Sequence, residues 1–392
     1  MQARKITVGV YQLGAIDWDR RLFDSLIPLP DGTSYNAYLI EGSEKTALLD
    51  TVDPSMVDVL LAQLESVPSI DYIVAHHSEQ DHAGAIPDVL GKYPNATVVT
   101  TPKGKQILTS LLPLAEERFI TVDDGETLSL GQRTLEFIHA PWVHWPETML
   151  TYLREDKILF TCDFFGSHLA TTDLYATDEA RVYEAAKRYY AEIMMPFRQI
   201  IAKNLEKIKD YEIATIAPSH GPIYDRPAFI IDAYHDWVSS PPKNLVVIPY
   251  VSMHGSTGKM VAYLVNALAK RGVKVEQFNL EATDIGKLAA ALVDAATIVV
   301  GTPAVLGGPH PQAIFAAYLA NVLKPKVKFA SIIGSYAWGS RTIEQLAEVI
   351  SNLKVEILEP VFRKGLPQEA DFKALDDLAD SIASKHKEHN FV

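Results

Sequence analysis

The chain has 392 residues, 48% hydrophobic and 22% charged, with a formal net charge of −13 at pH 7 and one cysteine. This length exceeds a single ordinary core and points to two domains, with ample apolar material and no composition that favours disorder. The negative charge argues against nucleic acid or an anionic membrane as a partner, and the lone Cys162 excludes an internal disulfide.

At the N-terminus, Met1-Gln2-Ala3-Arg4-Lys5 runs into a strand-like Ile6-Thr7-Val8-Gly9-Val10 with no signal-peptide core. No apolar run is long enough to span a membrane, so a cytoplasmic location is expected. Short β-rich runs follow at 34–40, 45–49, 71–75, 97–100, 119–122, 134–138, 149–153 and 157–161, with helical patterns at 56–64, 86–92 and 103–111. Sheets covered by helices imply an αββα sandwich. Residues 176–210 read as helices, over 181–193 and 199–209, before a strand at 213–216 and the loop Ala217-Pro218-Ser219-His220-Gly221-Pro222. Ser239-Ser240-Pro241-Pro242 then interrupts the pattern, which places a domain boundary between 1–243 and 244–392.

The run at 71–75 is followed by His77-Ser78-Glu79-Gln80-Asp81-His82, four metal-binding side chains within six residues. His77, Glu79 and Asp81 alternate, and a chain leaving a strand can turn alternate side chains towards one point, with His82 supplying a nitrogen from the other side. That inventory suits two metal ions. The bland alternative is a polar loop rich in His and acid by accident. Further ligands are expected from loops at strand ends: His144 in Ala140-Pro141-Trp142-Val143-His144-Trp145-Pro146, Asp163 after 158–162, and His220. A carboxylate such as Asp163 can bridge two metals through its two oxygens. His76 is expected to point away from the cluster. For His139, His168, His235, His310, His386 and His389 a surface or capping role is expected, and for Cys162 a packed one.

From Leu245 the rhythm becomes strict strand–helix alternation, with strands expected at 245–250, 273–278, 297–300, 329–333 and 355–358. Five βα units imply a doubly wound parallel sheet, which binds ligands where loops leave the carboxyl ends of its strands. The first such loop, Ser252-Met253-His254-Gly255-Ser256-Thr257-Gly258, offers hydroxyls, turn amides and a helix N-terminus to a phosphate. It has neither a Walker ending nor a dinucleotide fingerprint. The second and third are Gly301-Thr302-Pro303-Ala304-Val305-Leu306-Gly307-Gly308 and Gly334-Ser335-Tyr336-Ala337-Trp338-Gly339-Ser340, whose aromatics and glycines suit the walls around a flat ring. Together the three loops resemble flavodoxin, which implies FMN with its phosphate in the first loop and its ring between the other two. His254 stands where that family often has a hydroxyl residue.

Over essentially its whole length the chain resembles the flavodiiron proteins, a metallo-β-lactamase-like domain followed by a flavodoxin-like one. The resemblance implies two non-haem iron ions, one held by His77, Glu79 and His144, the other by Asp81, His82 and His220, with Asp163 bridging. Hydrolases of this fold typically have His at the position of Glu79, and a carboxylate there suits a harder, redox-active iron pair. It further implies reduction of dioxygen to water or of nitric oxide to nitrous oxide, with electrons passing through FMN, and a head-to-tail homodimer or dimer of dimers that faces one subunit's FMN to the other's irons. Many relatives carry a histidine near the irons in the N-terminal segment, where this chain has Arg20-Arg21-Leu22-Phe23-Asp24-Ser25. Because the chain ends soon after its last helix, no fused rubredoxin or flavin-reductase module is expected, and a separate donor follows, a rubredoxin or a reduced deazaflavin coenzyme. A dizinc hydrolase with an appended flavodoxin-like module is the alternative.

Overall fold

The structure, a computed structural model, describes residues 2–391. Two compact units emerge, one made of the residues up to Tyr190 with Phe197–Val238, the other of Ala191–Pro196 with the residues from Ser239 on. No helix among the described residues is long and apolar enough to cross a membrane.

In the first unit, strands β1 (Arg4–Thr7), β2 (Val10–Asp17), β3 (Thr33–Glu41), β4 (Thr46–Leu49), β5 (Tyr72–Val74), β6 (Thr97–Thr100) and β7 (Phe119–Thr121) form one sheet in that spatial order. Pairing is antiparallel from β1 to β4 and parallel from β4 to β7. The single strand expected over 6–10 is instead a hairpin, because the chain reverses at Val8 and Gly9 and Thr7 pairs with Val10. A continuous apolar run hides such a reversal, since alternation alone cannot mark where two strands meet. The second sheet runs β8 (Thr127–Ser129), β9 (Thr134–His139), β10 (Met149–Leu153), β11 (Ile158–Cys162) and β12 (Thr215–Pro218), the last pair parallel.

Alternation decides which residues meet between the sheets. Tyr38, Ile40, Leu49, Val74 and Val99 from the first share one core with Phe137, Met149, Leu153 and Phe160 from the second. On its other face the first sheet buries Leu39, Leu48, Ile73 and Val98 against α1 (Val57–Gln63), α3 (Ile86–Lys92) and α4 (Pro102–Leu111), which contribute Leu60, Ile86, Val89 and Leu108. A four-residue helix, α2 (Gln80–Ala83), precedes α3. Later come α5 (Glu179–Tyr189), α6 (Arg198–Ile208) and α7 (Pro227–Val238), completing the αββα sandwich. The helix expected to 193 leaves α geometry at Tyr189 and continues as a π-helical turn, Tyr190–Met194.

The second unit is a parallel sheet in the order β14-β13-β15-β16-β17, formed by β13 (Lys243–Tyr250), β14 (Lys274–Asn279), β15 (Ala295–Val305), β16 (Phe329–Tyr336) and β17 (Glu356–Ile357). This 2-1-3-4-5 order is the flavodoxin one, with its switch point between β13 and β15. The unit's α-helices are α8 (Ser256–Lys270), α9 (Ile285–Leu292), α10 (Pro311–Leu323), α11 (Thr342–Val349) and α12 (Glu369–Glu388), of which α8 and α12 bury Met260, Leu264, Leu375 and Leu378 against the sheet. Three expectations change. The strand expected at 355–358 shrinks to β17, and β18 (Val361–Lys364) joins β16 beside it. The second loop is largely strand, since β15 reaches Val305 and Gly308–Pro309 folds back on it. Helix α8 begins at Ser256, inside the stretch expected to be the first loop.

His386, expected at the surface, is 2% exposed in α12. Its ring lies 2.7 Å from Thr297 Oγ1 and 2.9 Å from Asn244 Oδ1. Burial, helped by His389, pulls its pKa down to about 4. The unfolded chain therefore binds a proton between pH 6.5 and 4 that the native unit refuses, so this contribution to stability is complete above pH 6.5 and lost as the pH falls through that window. A solvent-open cavity of about 440 Å³ beside the ring softens the effect. We expect about 1–2 kcal/mol, seen as a falling urea midpoint that His386→Gln flattens.

Candidate metal centre

Four of the seven candidate ligands sit on loops leaving strands. His77 follows β5, Asp163 follows β11 and His220 follows β12, while His144 lies in the loop before β10. Glu79 is the N-cap of α2, and Asp81 and His82 lie within it. The alternating side chains therefore converge because the backbone coils after β5, not because they share a strand face. Asp50, at the end of β4, holds the base of this loop: its carboxylate accepts the His76 amide at 2.9 Å and pairs with His76 Nδ1 at 2.7 Å. His76 Nε2 is 2.7 Å from Thr151 Oγ1, so His76 faces away from the cluster.

The other six side chains gather around Asp163. Its Oδ2 lies 3.5 Å from His77 Nε2 and 3.4 Å from His144 Nε2, and its Oδ1 lies 3.0 Å from His82 Nε2 and 3.3 Å from His220 Nε2. Glu79 Oε2 stands 3.1 Å from His77 Nε2 and 3.3 Å from His144 Nε2. Asp81 stands 3.4 Å from His82 Nε2 and 3.2 Å from His220 Nε2. Two sets of donors result, His77, Glu79, His144 and Asp163 in one, Asp81, His82 and His220 in the other, each with ligand atoms within 4.8 Å of one another.

Three carboxylates and four imidazoles at one mostly buried point demand positive charge. Burial pulls the His77 and His220 rings down, yet the carboxylates raise both to about 10. His77 is raised by the hydrogen bonds it donates to Glu147 and Glu79, and His220 by the negative charges of Asp163 and Asp81 beside it. His82 and His144 rise to about 9 against the same burial penalty. Burial pushes the Asp163 carboxyl up, but the surrounding imidazoles hold it well below the usual range. Both Asp81 oxygens, both His82 nitrogens and Asp163 Oδ2 are buried without a hydrogen-bond partner. Buried ligand atoms left without partners around one carboxylate are what a pair of cations would satisfy, so the residues fit a two-metal centre of mixed oxygen and nitrogen ligands.

Three supporting residues escape sequence reasoning. Glu147 Oε1 pairs with His77 Nδ1 at 2.8 Å. Tyr189 donates its phenol hydrogen to Asp163 Oδ1 at 2.8 Å. His168, expected at the surface, is 7% exposed, its ring 5.0 Å from that of His220 and 4.8 Å from that of Tyr189. Only Glu147 had a local signal, as an acid three residues after His144. His310 does cap α10 (Pro311–Leu323), accepting the Gln312 amide, and Cys162 is buried as expected.

In the second unit Gly255, at φ +85, is the N-cap of α8 and has no side chain to offer, and Ser252 Oγ takes only the third amide of the helix, that of Gly258, which leaves the Ser256 and Thr257 amides for another acceptor. A Cβ at Gly255 would meet nothing within 4 Å. Thr257 Oγ1 is buried without a partner, while Ser252 Oγ is occupied by the Gly258 amide at 2.9 Å. Met253, Leu306 and Trp338 are 49%, 97% and 82% exposed on the three loops. A helix N-terminus with open space at its N-cap glycine, an orphaned hydroxyl and exposed apolar side chains on the three loops fit a flavin mononucleotide.

Residues 33–221 match the family described as ODP family beta lactamase. The nitric oxide reductase of Moorella thermoacetica is 35% identical over 393 residues, covering 97% of this chain and 98% of that protein. Among solved structures, the rubredoxin oxygen:oxidoreductase of Desulfovibrio gigas superposes with a TM-score of 0.96 at 32% identity, covering 100% of both chains. The flavodiiron protein of Giardia intestinalis superposes with a TM-score of 0.92 at 28% identity, over 99% of this chain and 98% of that one.

Proposed function

The chain belongs to the flavodiiron protein family of oxidoreductases, and from that premise we propose that it reduces dioxygen to water, nitric oxide to nitrous oxide, or both, through a diiron domain at 1–243 and an FMN-binding domain at 244–392. The observation that carries this reading is Asp163, whose two oxygens face two separate groups of ligands. In the proposal His77, Glu79 and His144 hold one iron, Asp81, His82 and His220 the other, and Asp163 joins them. When bound, the iron pair supplies two electrons and reduced FMN two more, the four that dioxygen needs for two waters and twice what two nitric oxide molecules need for coupling.

The residues set the conditions for this chemistry. Glu79 adds a hard oxygen donor where a zinc hydrolase would have imidazole, which favours iron over the dizinc alternative. Trp145 presents its ring at 90° to that of His77, 4.8 Å between centroids, and shields that ring from water. Burial and Asp163 keep the Tyr189 phenol protonated far beyond the usual range, so it holds a proton at Oη beside the bridging carboxylate. In the flavin domain Ser256, Thr257 and the first amides of α8 hold the phosphate in the proposal, and residues from Thr302 to Gly308 and Ser335 to Gly339 flank the ring.

The donor in this reading is a rubredoxin or a reduced deazaflavin coenzyme, and the working unit is a head-to-tail homodimer or a dimer of dimers. Purified protein is expected to show flavin absorbance and an iron pair, and to consume dioxygen or nitric oxide with a reduced donor. Dilution is expected to give an inactive but iron-loaded monomer. Zinc in place of iron, or protein without flavin, overturns the proposal.

A further inference from the structure

The two metal positions have matching inner inventories: two imidazoles, a carboxylate of their own and one oxygen of Asp163. What stands behind these groups does not match. At the first position His77 turns Nδ1 to Glu147 Oε1 at 2.8 Å, and the same oxygen accepts the Ser78 amide at 2.9 Å. Glu147 is 2% exposed, and its Oε2 has no other partner. At the second position His220 turns Nδ1 to the backbone carbonyl of Ser34 at 2.7 Å, a dipole and not a charge, and His82 Nδ1 has no partner. The bridging carboxylate is lopsided too. Tyr189 donates to Asp163 Oδ1, the oxygen facing His82 and His220, while Oδ2, facing His77 and His144, accepts no hydrogen bond.

We propose that Glu147 and Tyr189 are positioning residues that make the two irons electronically unequal, enriching the position of His77, Glu79 and His144 and depleting that of Asp81, His82 and His220. The inference rests on the diiron reading above. A carboxylate that accepts the distal N–H of a ligating imidazole raises the electron donation of its other nitrogen, more than a neutral carbonyl does. A hydrogen bond donated to a carboxylate oxygen acts oppositely, drawing charge from that oxygen. The two effects fall on opposite positions and so add. The other buried carboxylate nearby, Asp50, bonds His76 and lies 3.3 Å from the Ser219 hydroxyl, and touches no ligand ring. From the diferric pair, the first electron from reduced flavin or dithionite therefore goes to the iron at Asp81, His82 and His220, leaving one ferrous and one ferric ion. The second goes to the iron at His77, Glu79 and His144 and completes the diferrous pair.

The test is a mediated reductive titration of the iron-loaded full chain, following the paramagnetic half-reduced pair by EPR and both irons by Mössbauer spectroscopy. Wild-type protein should show two separated one-electron steps, with the half-reduced pair dominant between them. Glu147→Gln should raise the lower-potential step and leave the upper one in place. Tyr189→Phe should lower the upper step and leave the lower one. In each variant the constant favouring the half-reduced pair should fall about tenfold, or about 59 mV for a one-electron couple. Steps that stay put, or move together, in both variants would reduce these residues to structural supports and overturn the inference while leaving the diiron reading intact. Wild-type protein without an iron pair would overturn both. Should Glu147→Gln fail to fold, the Tyr189→Phe titration decides the question alone.

Discussion

Asp163→Asn should abolish gas reduction and empty both metal positions together. The substitution keeps the side chain's shape but removes the charge that four imidazoles share. Outer groups that merely orient a ligand already cost about 10–100-fold in affinity when removed, so a ligand common to both positions should cost more than about a hundredfold at each. The metal content of the purified variant checks this, and flavin absorbance should persist because the flavin loops lie in the other unit. A variant that loses one iron and keeps the other would show that Asp163 belongs to a single position.

Gly334→Ala should release FMN and destabilise the second unit. A Cβ there would lie 1.8 Å from the Thr302 carbonyl oxygen and 2.9 Å from Phe362 Cε2. Gly334 pairs with Thr302 across β15 and β16, the strands that carry two of the three flavin loops. A backbone oxygen cannot rotate aside as a side chain can, so the strands must part. Overpacking typically costs 1–3 kcal/mol, and a clash this deep should exceed about 3 kcal/mol. Flavin retention on gel filtration and a urea titration measure both effects. Gly339→Ala is the control, because a Cβ there meets nothing within 4 Å, and it should keep its stability.

Much of the architecture is legible in the chain because burial writes itself into periodicity. The strands at 97–100 and 149–153 and the helix at 86–92 run between the same residues in the structure. Legibility fails where the backbone reverses inside an apolar run, as at Val8 and Gly9, and where a strand outlasts its apolar pattern, as β15 does through Thr302 and Pro303 to Val305. Residues at a strand's end still pair through main-chain hydrogen bonds that carry no hydropathy signal.

The metal centre divides along the same line. By itself the sequence determined which groups could ligate: acids and imidazoles dense enough in 77–82 to require cations, with His144, Asp163 and His220 waiting at the ends of other strands. Chemical identity is local, so one stretch of chain displays it. Spacing alone left open how those groups divide around the two oxygens of Asp163, which the family resemblance implied and the fold displays, and only the tertiary structure decided which residues stand behind them. Tyr189 arrives from a helix 26 positions after Asp163, Glu147 from a loop 70 positions after His77, and His168 from a segment given no role. Hydrogen bonds across such distances depend on how sheets and helices pack, and packing is fixed by the whole chain at once.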